Sequence, residues 1–312
     1  MNITIKIHNE KGLSSYTSPK VSIIVATYRR NETLRKALQS LITQTYSNIE
    51  IIVVDDNADI NWNETVENIV NDIETSDGIE IIYIKNNNNK GSAETRNTGI
   101  EIATGEYVTF LDDDDLYLPD KVKKQLEHMI QEGSDFSLTD LWLYDENGNL
   151  IEKRRRDYIE DLSSDSLIIY HLLYHMTGTD VMMFKKMYLL NIGMFSPINV
   201  GDEFYLMQKA IEGKGIFSYL PGCEVKAYVH SETDGLSSGD GKVLGENVLF
   251  EYKKKYFDIL TKKERRYIKM RHHAVLAFAE FRRGKYFSMT KNLCLSLIFS
   301  PTKLINLFIS RK

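Results

Sequence analysis

Four consecutive carboxylates, Asp112–Asp115, stand in the segment "VTFLDDDDLYLPD" (residues 108–120), directly after an apolar run typical of a β-strand. Their mutual repulsion raises their pKa values unless positive charge lies among them. Mg²⁺ and Mn²⁺ bind such carboxylates and leave positions open for substrate phosphates. A calcium loop is excluded, because Tyr117 and Lys123 stand where that loop needs Gly and Glu. The run favours a metal–diphosphate site, and the alternative is a solvated acidic turn that caps a helix at 120.

Two further polar clusters also follow strand-like runs, "VSIIVAT" (21–27) and "IEIIVVDD" (49–56). Carboxylates at such a position can accept hydrogen bonds from a base or a ribose, and the other cluster offers a hydroxyl, a ring and a cation. Arg96, in the helix before the strand at 106–112, can pair with phosphate charge. The residues of the two clusters are Thr27, Tyr28, Arg29, Asp55 and Asp56. Together with the acidic run they predict a nucleotide diphosphate site with a metal.

The elements that must position these residues alternate along the first part of the chain. Strands are predicted at 21–27, 49–56, 79–84 and 106–112, with helices at 32–43 and 92–104. This order predicts an α/β fold with a mainly parallel sheet flanked by helices. Ligands bind such sheets outside the carboxyl ends of the strands, so we expect the three clusters to share one edge.

Other nucleotide-binding motifs do not fit the chain. The sequence contains no GxxxxGK[ST], and "GDGKVLG" (239–245) lacks the strand–turn–helix context of a dinucleotide fingerprint. The two cysteines, Cys223 and Cys294, form no CxxC pair and suit a reducing cytosol. No apolar signal segment is predicted in residues 1–20, and no run is long enough to span a bilayer. We therefore expect a cytoplasmic protein.

Three stretches resemble the family 2 glycosyltransferases with the GT-A fold, and the resemblance covers roughly residues 19–235. They are "PKVSIIVATYRRNETLRKALQSLITQTYSNIEIIVVDDNA", "GSAETRNTGIEIATGEYVTFLDDDDLYLPD" and "GMFSPINVGDEFYLMQKA". The resemblance implies a Rossmann-like nucleotide-binding half and a Mn²⁺- or Mg²⁺-dependent inverting hexosyltransferase. It also implies a nucleotide-diphosphate sugar donor, with UDP-sugar preferred, and a glycan or lipid-linked hydroxyl as acceptor.

The resemblance also assigns roles to residues. Asp55 would contact the base, while Thr27, Tyr28, Arg29, Asp56 and Arg96 would line the nucleotide. Asp112 and Asp114 would form the Asp-x-Asp that binds the metal and the diphosphate. Because Asp113 is an additional carboxylate in this run, the motif could be shifted by one residue.

The acceptor base and a third metal ligand are expected further along the chain. Asp202 is the preferred base, Glu203 is its competitor, and either could instead be a helix N-terminal charge. His230 would lie near the metal or diphosphate, where the alternative is a solvent-facing histidine.

Charge divides the chain into an acidic body and a basic tail. From Lys253 onward there are 16 Lys and Arg against 3 Asp and Glu, whereas the rest of the chain carries a net −18. The last segment places Leu304 and Phe308 among apolar neighbours with flanking cations, which suits a helix on the anionic inner face of a membrane. A helix packed on the catalytic domain fits the pattern equally well.

The sequence predicts an extension (1–18), a nucleotide-sugar half (19–120), an acceptor half (121–242) and a basic helical region (243–312). Two other function classes compete with the transferase. A sugar-phosphate nucleotidyltransferase would need a glycine-rich loop after the first strand, and "ATYRRNETL" has none. A non-catalytic nucleotide- or nucleic-acid-binding module is disfavoured, because aliphatic residues interleave the basic tail and no nucleic-acid motif appears.

Overall fold

The secondary structure comes from a computed structural model that describes residues 3–6, 18–198, 201–229 and 239–309. The strands are β1 (Ile3–Lys6), β2 (Val21–Thr27), β3 (Ile49–Asp55), β4 (Ile79–Lys85), β5 (Tyr107–Phe110), β6 (Leu116–Tyr117), β7 (Phe136–Thr139), β8 (Leu141–Tyr144), β9 (Leu150–Arg154), β10 (Met182–Lys185), β11 (Phe217–Leu220) and β12 (Val225–Tyr228). The helices are α1 (Glu32–Ile42), α2 (Ile60–Asp72), α3 (Ser92–Ile102), α4 (Lys121–Glu132), α5 (Ser164–Tyr174), α6 (Lys186–Asn191), α7 (Asp202–Glu212), α8 (Gly239–Lys254), α9 (Lys262–Arg282), α10 (Tyr286–Phe299) and α11 (Pro301–Ile309).

An eight-stranded sheet carries the site, in the order β1-β4-β3-β2-β5-β10-β7-β11. Its central strands β4, β3, β2 and β5 run parallel, whereas β10 is antiparallel to both of its neighbours. The chain runs from β2 outward through β3 to β4 and then returns to β5 on the other side of β2. This reversal makes the carboxyl ends of β2 and β5 a topological switch point, where ligands bind in such sheets. The predicted α/β class and mainly parallel sheet are confirmed.

Burial explains why these runs form the sheet. Every residue of β3 is buried, and β2 is buried except at one position, as expected for strands covered on both faces. Helix α1 buries Leu34, Ala37, Leu38 and Leu41 at helical spacing against them. Helix α2 was not predicted from the sequence; it buries only Val66, Ile69 and Val70, and the Asp59 carboxylate caps its start.

Helix α3 lies unusually close to the sheet at Gly99. A Cβ atom there would come within 2.6 Å of Ile24 Cγ2 on β2 and 3.3 Å of Val54 Cγ2 on β3. Because Gly99 has no side chain, α3 can pack this close to the sheet. Arg96 lies one turn earlier on the same helix, so this close packing also places the guanidinium of Arg96.

The described residues fall into two compact units. The first comprises those of Met1–Ser164, Met176–Pro197 and Asp202–Val229, and it holds the large sheet and a second sheet of order β6-β12-β8-β9. The second comprises those of Asp165–His175, Ile198–Gly201 and His230–Lys312. In this unit α10 packs along α9, and α11 contacts both of them. None of the helices described is long and apolar enough to cross a bilayer.

Helix α5 belongs to the second unit although it lies in the middle of the chain. Lys253 Nζ donates to the Leu172 carbonyl at 2.8 Å and also contacts His175 Nε2. Arg271 donates to the Leu173 carbonyl at 2.7 Å. These two basic side chains donate to carbonyl groups at the C-terminal end of α5, which a helix leaves without internal partners.

Candidate active site

The acidic run forms a tight turn beyond β5. The Asp115 amide donates to the Asp112 carbonyl at 3.1 Å, and the Asp112 amide donates to Asp180 Oδ1 at 2.7 Å. Asp180 stands in a 3₁₀ turn (Thr179–Val181) that leads into β10. One carboxylate oxygen from each of Asp112, Asp115 and Asp180 lies within 4.8 Å of the other two. The structure thus gathers three carboxylates at the predicted edge of the sheet.

Two of these carboxylates are buried and repel each other. Asp115 and Asp180 are 5% and 3% exposed. Burial, followed by the charge of Asp180, raises the pKa of Asp115 well above its usual value. Burial and the charge of Asp112 raise the pKa of Asp180 to about 7. Without another positive charge at this point, the pair holds a proton that a cation would displace.

Arg96 links the acidic run to the predicted acceptor base. Its guanidinium donates to Asp112 Oδ1 at 2.6 Å and to Asp202 Oδ2 at 2.9 Å, and it lies 5.5 Å from the Phe195 ring centroid. Burial would lower the pKa of Arg96, but the charges of Asp112, Asp202 and Glu203 raise it above its usual value. Arg96 is therefore a fixed cation between two carboxylates.

Asp202 and Glu203 open helix α7 and differ in their surroundings. Asp202 is 5% exposed and accepts from Arg96 and, at 3.4 Å, from the Ser92 hydroxyl. Glu203 is half-buried, and burial together with the Asp202 charge raises its pKa to about 8. A carboxylate with such a pKa holds its proton at neutral pH more readily and is a stronger base when ionised.

The other two carboxylates of the run contact the loop after β2. Asp113 accepts from the Tyr28 amide at 3.2 Å and from Arg30 Nε at 3.4 Å, while Asp114 accepts from Arg30 Nη2 at 2.9 Å. Burial and the Asp114 charge raise the pKa of Asp113 to about 7. Arg29, next to Arg30, has a φ of +54°, which is rare for a residue with a side chain. The assignment of Asp114 as a metal ligand stays a prediction.

Asp55 is fully enclosed by donors from the protein. Its carboxylate accepts from the Asn57 amide (2.9 Å), Asn57 Nδ2 (2.8 Å), Asn63 Nδ2 (2.7 Å) and the Tyr83 hydroxyl (2.7 Å). Burial and Asp55 raise the pKa of Tyr83 above its usual range, so the phenol keeps the proton that it donates. In this structure Asp55 fixes the loop after β3.

Asp56 fixes the segment that leads into α3. It accepts from Asn86 Nδ2 and the Lys90 amide, both at 2.8 Å, and from the Gly91 amide at 2.9 Å. Gly91 has a φ of +81° and precedes α3 directly. Asp56 therefore holds the start of the helix that carries Arg96.

The structure brings most of the predicted residues to one edge. Thr27 is buried at the end of β2, and the Tyr28 ring is 45% exposed with Arg29 lying 5.1 Å from its centroid. His230 lies outside the residues that the structure describes.

Sequence reasoning missed Asp180, Arg30 and the contribution of Asp115. The pairing of β10 with β5 matches Met183 to Thr109, and three residues beyond that pair on each strand the Asp112 amide donates to the Asp180 carboxylate. Only long-range strand pairing reveals this neighbour, although an Asp before an apolar run was a usable signal. Arg30 could have been suspected as the second arginine of "TYRR".

The donor set fits a hard divalent cation. Carboxylate oxygens are the ligands that Mg²⁺ and Mn²⁺ prefer, and the raised pKa values of Asp115 and Asp180 indicate that the pair needs positive charge. Asp112, Asp115 and Asp180 are the described residues that would hold it.

Comparison with curated proteins finds glycosyltransferases. WfaP of Escherichia coli, a β-1,3-glucosyltransferase, is 40% identical over 124 residues, or 39% of this chain and 46% of WfaP. An uncharacterised glycosyltransferase of Methanocaldococcus jannaschii is 33% identical over 171 residues, or 54% of this chain and 56% of that protein. TuaG of Bacillus subtilis, named as a putative teichuronic acid biosynthesis glycosyltransferase, is 33% identical over 136 residues, or 43% of this chain and 52% of TuaG. The match spans about half the length of these relatives.

Solved structures share the fold over most of the chain. S. aureus TarS (residues 1–349) in complex with UDP-GlcNAc superposes with a TM-score of 0.56, at 18% identity, over 88% of this chain and 90% of that one. The mannosyltransferase PcManGT of Pyrobaculum calidifontis, in complex with GDP-Man and Mn²⁺, also gives 0.56, at 15% identity, over 90% and 87%. These likenesses confirm the GT-A fold.

The family assignment follows from a match to the family described as glycosyl transferase family 2. That match covers residues 22–190, which include β2 from its second residue, β3 to β5, the acidic run and Asp180. It takes in more than half of the chain. The protein belongs to glycosyl transferase family 2.

Proposed function

We propose that the protein is an inverting, metal-dependent glycosyltransferase that moves a hexosyl group from a nucleoside diphosphate sugar to a hydroxyl acceptor. One observation carries the proposal: the carboxylates of Asp112, Asp115 and Asp180 adjoin the Arg96–Asp202 pair at the carboxyl edge of the sheet. In this proposal the three carboxylates would form a cation site next to a fixed positive charge and a candidate base. Sugar transfer requires all three, because charge builds on the departing diphosphate while the acceptor loses a proton.

The proposed donor is a UDP-sugar. WfaP is named for UDP-Glc, TarS is solved with UDP-GlcNAc, and PcManGT is solved with GDP-Man and Mn²⁺. In this chain Thr27 and Tyr28 would line the nucleotide, where the exposed Tyr28 ring can stack on a base. Asp55 and Asp56, which already accept from several protein donors, would hold the loops against which the nucleoside rests.

The chain's own residues would divide the chemistry. Asp112, Asp115 and Asp180 would hold Mn²⁺ or Mg²⁺, which supplies Lewis-acid stabilisation of the diphosphate leaving group. Arg96 is held by Asp112 and Asp202 at a point where it can stabilise the same developing charge. Arg30, paired with Asp113 and Asp114, offers a second cation at the loop after β2.

The base would be one of the two carboxylates that open α7. We propose Glu203, with Asp202 as the alternative, because Arg96 already engages Asp202 whereas the pKa of Glu203 is raised to about 8. A base whose pKa lies near the working pH is efficient at taking a proton in the transition state. Asp202 would then orient Arg96 and increase the basicity of Glu203 through its charge.

The acceptor is proposed to be a glycan or a lipid-linked sugar in polysaccharide or glycan synthesis, reached from the inner face of a membrane. WfaP is named for a diphosphoundecaprenol-linked acceptor and TuaG for teichuronic acid biosynthesis. The net charge of +13 from Lys253 onward suits an anionic surface.

The test is whether UDP stabilises the protein against thermal unfolding only when a metal is present. With Mn²⁺ present and UDP about a hundredfold above its Kd, linkage predicts about 2.7 kcal/mol of stabilisation, read as a rise in melting temperature. Asp180→Asn should remove the Mn²⁺-dependent part of that rise. The matched variant Asp114→Asn should retain it, because Asp114 accepts from Arg30 Nη2 at 2.9 Å and is not one of the three carboxylates assigned to the cation.

Two results would count against this assignment. Equal protection by UDP in excess chelator would refute metal dependence. Loss in Asp114→Asn with retention in Asp180→Asn would move the metal site to the Asp-x-Asp register expected from the sequence. Release of UDP from UDP-sugars by purified protein, measured in parallel, tests the transferase chemistry itself.

A further inference from the structure

Four aromatic side chains are exposed where α9 turns into α10. Phe278 and Phe281 end α9 with 50% and 54% of their surface exposed, and Tyr286 and Phe287 open α10 with 63% and 86% exposed. We call these four residues the aromatic tip. Large aromatic residues are seldom left in water together, so such a group marks a surface that contacts something apolar.

The turn that presents the tip is well defined. Gly284 adopts a φ of +67°, and the Lys285 amide donates to the Glu280 carbonyl at 2.9 Å, which is the pattern of a Schellman C-cap. This closure holds the Phe281 and Tyr286 rings 6.3 Å apart in an edge-to-face arrangement. The rings are therefore pre-arranged by the backbone rather than displayed on a long loop.

The exposed surface continues along the outer face of α10. Phe287, Lys291, Cys294 and Ile298 follow one another at spacings of four, three and four residues, so they share one side of the helix. All four are exposed. The opposite side faces α9, where the buried Ser296 hydroxyl donates to the Met270 carbonyl at 2.8 Å.

Exposed cations border the aromatic tip. The Arg282 guanidinium lies 4.7 Å from the Phe278 ring centroid, and Lys285 and Lys291 are exposed beside the other rings. Two acidic side chains lie near this turn, and both contact Arg283. Glu280 is buried and accepts from Arg283 at 3.0 Å, whereas Asp240 is exposed. Arg283 is therefore neutralised, and Arg282, Lys285 and Lys291 carry the positive charge of the surface. Aromatic rings flanked by Lys and Arg are the composition of segments that lie in the interface of an anionic bilayer.

We propose that the aromatic tip and the outer face of α10 dock on an anionic lipid surface. A second copy of the chain is the less favourable occupant, because a two-fold contact would bring Arg282, Lys285 and Lys291 against the same cations of its partner. An anionic bilayer instead neutralises these cations and accepts the rings.

This inference rests on the proposed membrane location and names the surface responsible, which differs from the one expected from the sequence. Leu304, expected to enter the membrane, is only 2% exposed, and its helix α11 packs on α9 and α10. The side chain of Phe308 lies outside the described residues. The contact is thus assigned to the turn between α9 and α10.

Sedimentation with vesicles tests the proposal. The probes are vesicles of equal parts phosphatidylglycerol and phosphatidylcholine, compared with pure phosphatidylcholine, at low and at physiological salt. The full chain should bind the anionic vesicles and release as salt rises. Phe281→Ser/Phe287→Ser should weaken binding about tenfold, because each ring loses its burial in the interface. Arg282→Gln/Lys285→Gln should chiefly reduce the salt dependence.

A control variant removes two exposed apolar side chains elsewhere. Met187 and Ile216 of the first unit are 68% and 58% exposed, and Met187→Ser/Ile216→Ser should leave vesicle binding unchanged. The melting temperature of each variant shows whether it is folded. UDP release by each variant tests the transferase proposal independently of vesicle binding.

Three outcomes would overturn the inference. A full chain that ignores anionic vesicles at low salt refutes the membrane location and the docking surface together. Equal binding by the wild type and Phe281→Ser/Phe287→Ser refutes only the surface. A dimer in solution that this double substitution dissociates, with vesicle binding unaffected, identifies a second copy as the occupant.

Discussion

Charge around Arg96 decides what each neighbouring carboxylate can do. The guanidinium is bound by Asp112 and Asp202. Glu203 is half-buried beside Asp202, and burial together with the Asp202 charge disfavours its ionised form. The two adjacent carboxylates therefore differ: Asp202 is paired with Arg96, whereas Glu203, with its pKa raised to about 8, holds a proton near neutral pH. Such a split is a recurrent way of assigning acid–base roles within one site.

Substitution at Asp202 and Glu203 should have distinct effects. Glu203→Gln should lower kcat by roughly 10²–10⁴-fold with UDP affinity unchanged, because it removes proton abstraction alone. Asp202→Asn should weaken UDP binding as well, since Arg96 loses a partner and reorganises. Steady-state kinetics with calorimetric UDP titration separate the two.

The pH profile of the wild type supplies the matching check. Because the pKa of Glu203 is raised to about 8, kcat should rise with pH up to about that value as the carboxyl group loses its proton. The same shift means that the folded state holds this proton between the usual Glu pKa and about 8, so Glu203 favours folding at the acidic end and this contribution declines as pH rises. A flat kcat from pH 6 to 9, with full activity in Glu203→Gln, would transfer the role to Asp202.

Among the elements, the predicted strands needed no tertiary information because they are buried on both faces. "VSIIVAT" is β2 to the residue, and the predicted strand and helix around Gly91 differ from the structure only at their ends. Helix α2 was missed because "INWNETVENIVND" has only three apolar residues buried and many Asn. Asp180 was missed because its position depends on β10 pairing with β5, a contact between segments about 70 residues apart that no local pattern encodes.

The distance between α3 and the sheet should control donor binding through Arg96. Gly99→Ala would place a Cβ 2.6 Å from Ile24 Cγ2, so either the side chain or the helix must move. Overpacking of this kind lowers the free energy of unfolding by about 1–3 kcal/mol. The higher helix propensity of Ala offsets up to about 1 kcal/mol of that loss. We expect a lower melting temperature and weaker UDP binding.

The matched variant for that test is Glu101→Ala. Glu101 lies on the exposed side of the same helix, so its loss changes propensity and charge without touching the sheet. Its melting temperature and UDP affinity should equal those of the wild type. If Gly99→Ala were equally silent, the close approach of α3 would not be what positions Arg96.

Across the whole molecule, the two compact units do not divide at one point along the chain. The second unit takes Asp165–His175 from the middle of the sequence together with residues near the end. In this unit Tyr174 lies 5.7 Å from Tyr267, ring centre to ring centre, and Leu167 and Leu172 are buried. The unit that holds α8 to α11 therefore also holds most of α5.

Removal of residues 243–312 should consequently fail to leave a well-behaved transferase. It would delete Lys253 and Arg271, which bind the Leu172 and Leu173 carbonyls, and would remove the partners that α5 meets in its unit. Unsatisfied buried carbonyls cost about 1–3 kcal/mol each, and newly exposed Leu side chains favour aggregation. We expect the truncated chain to lose its cooperative thermal transition and to aggregate on size-exclusion chromatography.

Truncation after residue 299 is the control, because it keeps α8, α9 and α10 and should leave the transition cooperative. A soluble, cooperatively unfolding 1–242 fragment that still binds UDP with Mn²⁺ would show instead that α5 needs none of these contacts.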